Sequence, residues 1–143
     1  MKRFFASFIA VFALFMLGTT QPTMANDELA TKPAKTENPR LVECSYYTGT
    51  IGSNMKITMY LEYYTNGDYR GWYYYHSQGS NNKLIIRGYN DLDGAVRLSE
   101  YNKDNVLTAD FKGSFKMNGE FAGKMYVYHS NKTYTFRLYP VKY

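Results

Sequence analysis

The sequence predicts an all-β domain, a single antiparallel up-and-down meander of about eight strands closed or nearly closed into a small β-barrel. Two observations carry that prediction. Turn-forming clusters recur about every 13 residues from Tyr46 onward. They fall at Gly52-Ser53-Asn54, Asn66-Gly67, residues 78–82, 90–94 and 102–105, Asn118-Gly119 and Ser130-Asn131. Between them, apolar and polar residues alternate, so each segment has one dry face and one wet face. That pattern excludes a parallel sheet buried on both sides.

Residues 1–25 have the layout of a secretory signal peptide: Lys2 and Arg3, an apolar stretch from Phe4 to Leu17, and Thr23-Met24-Ala25 as a small-residue cleavage site. The apolar stretch is shorter than the ~20 residues a membrane helix needs. The short basic start suits a bacterial chain, which places the mature protein in a periplasm or outside the cell. Residues 26–43 hold two prolines and several charges but almost no apolar residues, the composition of a flexible tether. Residues 44–143 then form the barrel domain. Cys44 is the only cysteine, so no intramolecular disulfide exists. Glu43 stands where lipoprotein processing wants a small residue. Burial of Cys44 at the start of the first strand is the expectation, with an interchain cross-link as the alternative.

The strands follow in order. In the second, Ile57, Met59 and Leu61 share a side opposite Lys56, Thr58 and Glu62. The fourth sets Leu84 and Ile86 against Lys83 and Arg87, and the fifth sets Val96 and Leu98 against Arg97 and Ser99. The sixth places Leu107, Ala109, Phe111 and Phe115 opposite Thr108, Asp110 and Lys112. Phe121, Met125 and Val127 oppose Glu120 and Lys124 in the seventh, and Tyr134, Phe136 and Leu138 oppose Thr133, Thr135 and Arg137 in the last. An open meander would leave two edges prone to aggregation, and closure removes them. Tyr47/Gly49, Tyr69/Gly71, Phe111/Gly113 and Phe121/Gly123 repeat one spacing, an aromatic followed two residues later by glycine. Glycine there permits a bend, and a ring can cover the bared backbone. Strands nearer seven to nine residues and uniformly short loops argue against a membrane barrel.

The run Gly71-Trp72-Tyr73-Tyr74-Tyr75, followed by Ile86-Arg87-Gly88, Leu98-Ser99-Glu100, Phe111-Lys112-Gly113, Gly119-Glu120-Phe121-Ala122-Gly123 and Phe136-Arg137-Leu138, resembles a pattern of small secreted bacterial β-domains. The meander is also similar to the avidin and lipocalin architectures. That resemblance implies binding without implying a ligand.

Candidate functional residues come from the faces. Tyr73 and Tyr75 point inward by register with Gly71, and Trp72, Tyr74 and His76 point outward. Tyr60, Tyr89, Tyr101, Tyr126 and Tyr128 also fall at wet positions. Exposed aromatics with polar tips suit a sugar or a protein interface, whereas tyrosines that only pair across strands serve the sheet. Glu100 lies on the apolar face, where a carboxylate needs a partner. It is either a tie to an inward Tyr hydroxyl or, with Tyr73 and Tyr75, a polar anchor for a ligand. His76 and His129 stand alone, without a carboxylate or cysteine at metal-ligand spacing.

The full chain carries a net charge of +5; Lys2 and Arg3 leave with the signal peptide, so the mature chain is nearer +3. The basic residues are scattered, which argues against nucleic acid. No nucleophile elbow, P-loop or His-Glu-x-x-His is present. The expectation is therefore a non-enzymatic envelope protein, without cofactor, metal or membrane insertion. It would bind an envelope protein or glycan through Trp72, Tyr74, His76, Tyr126 and Tyr128, the wall staying structurally intact when Trp72 and Tyr74 are removed. The alternative is a carrier of a small apolar ligand held inside the barrel by Tyr73, Tyr75 and Glu100.

Overall fold

A computed structural model describes residues 38–142. The signal peptide expected at residues 1–25 and most of the tether lie outside the described residues. The strands are β1 (Leu41–Ile51), β2 (Met55–Tyr64), β3 (Asp68–Tyr75), β4 (Leu84–Asn90), β5 (Val96–Tyr101), β6 (Leu107–Phe115), β7 (Phe121–Val127) and β8 (Lys132–Pro140). Each pairs antiparallel with the next, and β8 returns to β1 to close the barrel. The predicted meander of eight strands is the observed fold.

Every turn contains one residue in the left-handed region. These are Gly52, Gly67, Gly79, Gly94, Asn105, Gly119 and Asn131, with φ between 51° and 87°. Glycine and asparagine tolerate that region where a Cβ otherwise clashes. The recurrence of Gly and Asn in the sequence therefore marks the seven reversals directly.

Alternation points the apolar faces inward. Ile51, Ile57, Met59, Tyr73, Ile86, Leu98, Phe111, Phe121, Phe136 and Leu138 are all buried. Strands β2 to β8 each carry an exposed cation on the outer wall, such as Lys56, Arg70, Arg87, Arg97, Lys112, Lys124 and Arg137. Two inward glycines show what the aromatic-Gly spacing does. A Cβ on Gly71 would collide with the carbonyl oxygen of Tyr60 on β2, so the backbones approach more closely than any side chain allows. Gly113 faces Gly123 across β6 and β7, and the ring of Phe136 covers it, its Cζ 2.7 Å from where a Cβ would stand. Phe111, Phe121 and Phe136 pack together over this bare backbone at centroid distances of 5.4 and 4.9 Å.

Three expectations need correction. The barrel does not begin at residue 44, because Leu41 and Glu43 already pair with Tyr64 and Tyr63. Arg40 is tied as well, its N–H donating to Thr65 Oγ1 at 3.0 Å and its carbonyl accepting from Thr65 N–H at 2.9 Å. Cys44 is exposed rather than buried. It lies an odd number of residues from inward Tyr47, so pleating turns it to the outer wall opposite Glu62. In β6, a bulge pairs Glu100 with Ala109 but Tyr101 with Leu107. The extra residue leaves Leu107 41% exposed and lets the Thr108 hydroxyl reach inward.

The two barrel ends differ. The turns after β1, β3, β5 and β7 lie at one end, where Met55, Tyr75, Leu84, Val127 and Tyr134 pack against the core and cap it. At the other end β1 overhangs, since β8 pairs only with Tyr47 to Ile51 while β2 follows β1 along its whole length.

Candidate binding surfaces

The outer wall of β1 to β5 carries a transverse row of apolar side chains. Tyr46 lies opposite Tyr60, Tyr60 opposite Trp72, Trp72 opposite Ile85, and Ile85 opposite Tyr101. Strand pairing thus aligns residues far apart in sequence at one height on the barrel. The rings stack on one another: Tyr46 on Tyr60 at 4.9 Å, and Trp72 on Tyr60 at 5.6 Å and on Tyr74 at 6.2 Å, the last two nearly parallel. Lys83 Nζ sits 3.8 Å from the Trp72 ring centroid, and the Arg87 guanidinium covers Tyr101 at 5.4 Å. Below Tyr60, Glu62 accepts hydrogen bonds from Tyr60 (3.0 Å) and Tyr64 (2.7 Å). Burial and then the Glu62 hydrogen bond push the Tyr60 phenol far up. His76, at the end of the run, is 5.7 Å from Tyr74, with its Nε2 2.9 Å from Thr58 Oγ1.

Trp72, Tyr74 and His76 therefore share a wall, as the alternation predicts. Tyr126 and Tyr128 do not belong to it. They lie on and just after β7, four strands from β3 in a ring of eight, on the opposite wall. There the two rings meet edge to face at 5.2 Å; Tyr126 donates to Asn131 at 2.7 Å and Tyr128 to Asp110. The five residues grouped in sequence form two separate patches. Alternation identifies a face but not a wall, which only closure assigns.

Tyr73, Tyr75 and Glu100 meet inside the barrel near the capped end. Tyr73 donates to Glu100 Oε2, and Thr108 donates to Oε1 at 2.5 Å. Tyr75 Oη lies 3.3 Å from Tyr73 Oη. Since the single Tyr73 proton goes to the carboxylate, Tyr75 is the donor in that pair. Burial pushes the Tyr73 phenol well above its usual range, with the negative charge of Glu100 adding to it. Burial raises Tyr75 too. Both carboxylate oxygens thus have protein donors. Glu100 is a tie between β3, β5 and β6, and the three groups face each other.

The overhanging end holds a feature that the sequence reading did not single out. An open cavity of about 390 Å³ is lined by Glu43, Ser45, Tyr47, Leu61, Tyr63, Tyr69, Asn90, Phe115 and Gly119. Phe115 reaches across from β6 toward Tyr47 at 5.9 Å and Tyr69 at 6.2 Å, and the buried Leu61, Tyr47 and Tyr69 form the floor. Tyr63 packs on Tyr69 at 4.8 Å as a wall. The one signal in the sequence was parity: Glu43, Ser45 and Tyr47 share a face, as do Leu61 and Tyr63. Nothing in the sequence says that those faces converge.

Among the described residues, no group of three His, Cys, Asp or Glu side chains is placed to hold a metal ion. No protein-family model, curated protein or solved structure matches this chain.

Proposed function

We propose that this domain is a non-enzymatic binding module of the bacterial envelope that docks a protein partner on the outer wall of β1 to β5. The observation that carries this reading is the row Tyr46, Tyr60, Trp72, Ile85 and Tyr101, one continuous band of aromatic and apolar side chains aligned across five neighbouring strands of the outer wall. Such a band, flanked by Arg87 and Lys83, has the Trp, Tyr and Arg content of interface hot spots. Ring geometry favours a protein over a glycan. A sugar stacks on an open ring face, whereas here Trp72 turns its faces to Tyr60, Tyr74 and Lys83 and leaves edges outward. The cations around the exterior support an aqueous surrounding over a lipid one. The envelope address rests on the layout of residues 1–25.

Ile85 is the point of test, being 39% exposed and paired with Trp72 at the centre of the row. A photo-crosslinking residue at position 85 should trap one protein in the native envelope. The same residue at Thr135, on the far wall, should trap none, and Ile85→Glu should prevent capture by a crosslinker at Tyr101. Equal labelling from positions 85 and 135, or retention on an envelope glycan with no protein adduct, would overturn this reading.

A further inference from the structure

The cavity at the overhanging end has a chemistry of its own, independent of the outer wall. Four of its lining residues are aromatic, and Leu61 adds an apolar surface. Its one charged residue is Glu43, and no Lys or Arg lines it. At this end Asp68 is engaged with Arg70, Asp91 with Arg97, Asp93 with Lys112 and Glu120 with Lys116, while Glu62 accepts from Tyr60 and Tyr64 on the outer wall. Glu43 has only a 3.3 Å hydrogen bond from Ser45. Its charge is felt at the floor, where it contributes, after burial, to raising the phenols of Tyr47 and Tyr69.

We infer that this mouth is a binding site for a small methylated ammonium compound, held against the rings of Tyr47, Tyr63, Tyr69 and Phe115 with Glu43 as counter-charge. Ring faces carry negative potential and attract cations, most strongly where water is partly displaced. An anion would meet four aromatic rings and the carboxylate of Glu43, with no Lys or Arg to receive it. A primary ammonium is a compact, strongly hydrated charge, and a lining made mostly of aromatic rings replaces its hydration shell poorly. A quaternary nitrogen carries charge without needing acceptors, and its methyl groups suit an apolar floor. The volume falls within the range of small-ligand sites, and barrel mouths are a usual place for them.

The experiment is an NMR titration of the labelled protein with choline, run beside 3,3-dimethylbutan-1-ol, its uncharged carbon isostere. Choline should shift the ring resonances of Tyr63 and Phe115 saturably and bind about tenfold or more tightly than the isostere. Glu43→Gln, a change at an exposed position, should weaken choline severalfold and leave the isostere unchanged. Phe115→Leu should do the same by removing a ring face while keeping apolar bulk. Equal affinity for both compounds, or choline shifts unaffected by Glu43→Gln, would make the mouth merely apolar and overturn the inference. Absence of saturable shifts at Tyr63 and Phe115 would overturn it as well.

Discussion

Replacing Glu100 with Leu and Tyr73 with Phe, singly and together, tests whether the interior polar cluster is a structural tie. Tyr73 is 0% exposed and Glu100 5%. Glu100→Leu leaves the Tyr73 hydroxyl in a dry site with only the Tyr75 hydroxyl, 3.3 Å away, as an acceptor, at about 1–3 kcal/mol. Thr108 adds little, because the Glu100 backbone carbonyl lies 3.4 Å from its hydroxyl as a substitute acceptor. Tyr73→Phe removes a hydrogen bond to a charged group and leaves a buried carboxylate with Thr108 alone, at about 1.5–3 kcal/mol. The double variant strands neither partner, so it should cost less than the two singles summed, with a coupling of about 2 kcal/mol. Each single change should lower Tm by about 8–16 °C at 2 kcal/mol for a domain of this size. Urea unfolding at pH 7, followed by far-UV circular dichroism and by the fluorescence of Trp72, the only tryptophan, supplies the four free energies. Additivity within about 0.5 kcal/mol would refute the tie and reopen the cluster as a ligand anchor.

Trp72→Ala should destabilise the fold by about 2 kcal/mol, contrary to the sequence expectation of an intact wall, because it removes stacking on Tyr60 and Tyr74, an edge-to-face contact with Tyr46 and the Lys83 contact. A melting temperature within a degree or two of wild type, measured by circular dichroism, would contradict the packed ladder. Alkaline pH should also unfold the domain. The folded state holds Tyr73 neutral, so its contribution is complete below pH 10, the unfolded value, and is lost as pH rises beyond it. Above pH 10 the unfolding free energy, read from denaturation curves taken between pH 9 and 12, should fall by about 1.4 kcal/mol per pH unit for each phenol kept neutral. Tyr73→Phe should remove one such increment, and an unchanged slope would place that phenol in contact with water.

The meander was legible because it is written in local chemistry. Seven Gly or Asn residues occupy left-handed turn positions, and alternation assigns Ile57, Met59, Leu98, Phe111 and Phe136 to the core without any long-range information. Parity also separates Tyr73 from Trp72. It failed where pairing slips, at the Thr108 bulge, and where a strand starts before its buried residues do, at Leu41. What the chain alone determines is therefore the order of strands, the place of turns and which side of each strand is dry, since all three follow from φ preference and a period of two. Only the closed barrel decides which strands stand side by side. Closure sends Tyr128 to the far wall from Trp72, joins Glu100 to Tyr73, and brings Glu43, Tyr63, Tyr69 and Phe115 around one mouth, because register and shear act between segments that no local pattern connects.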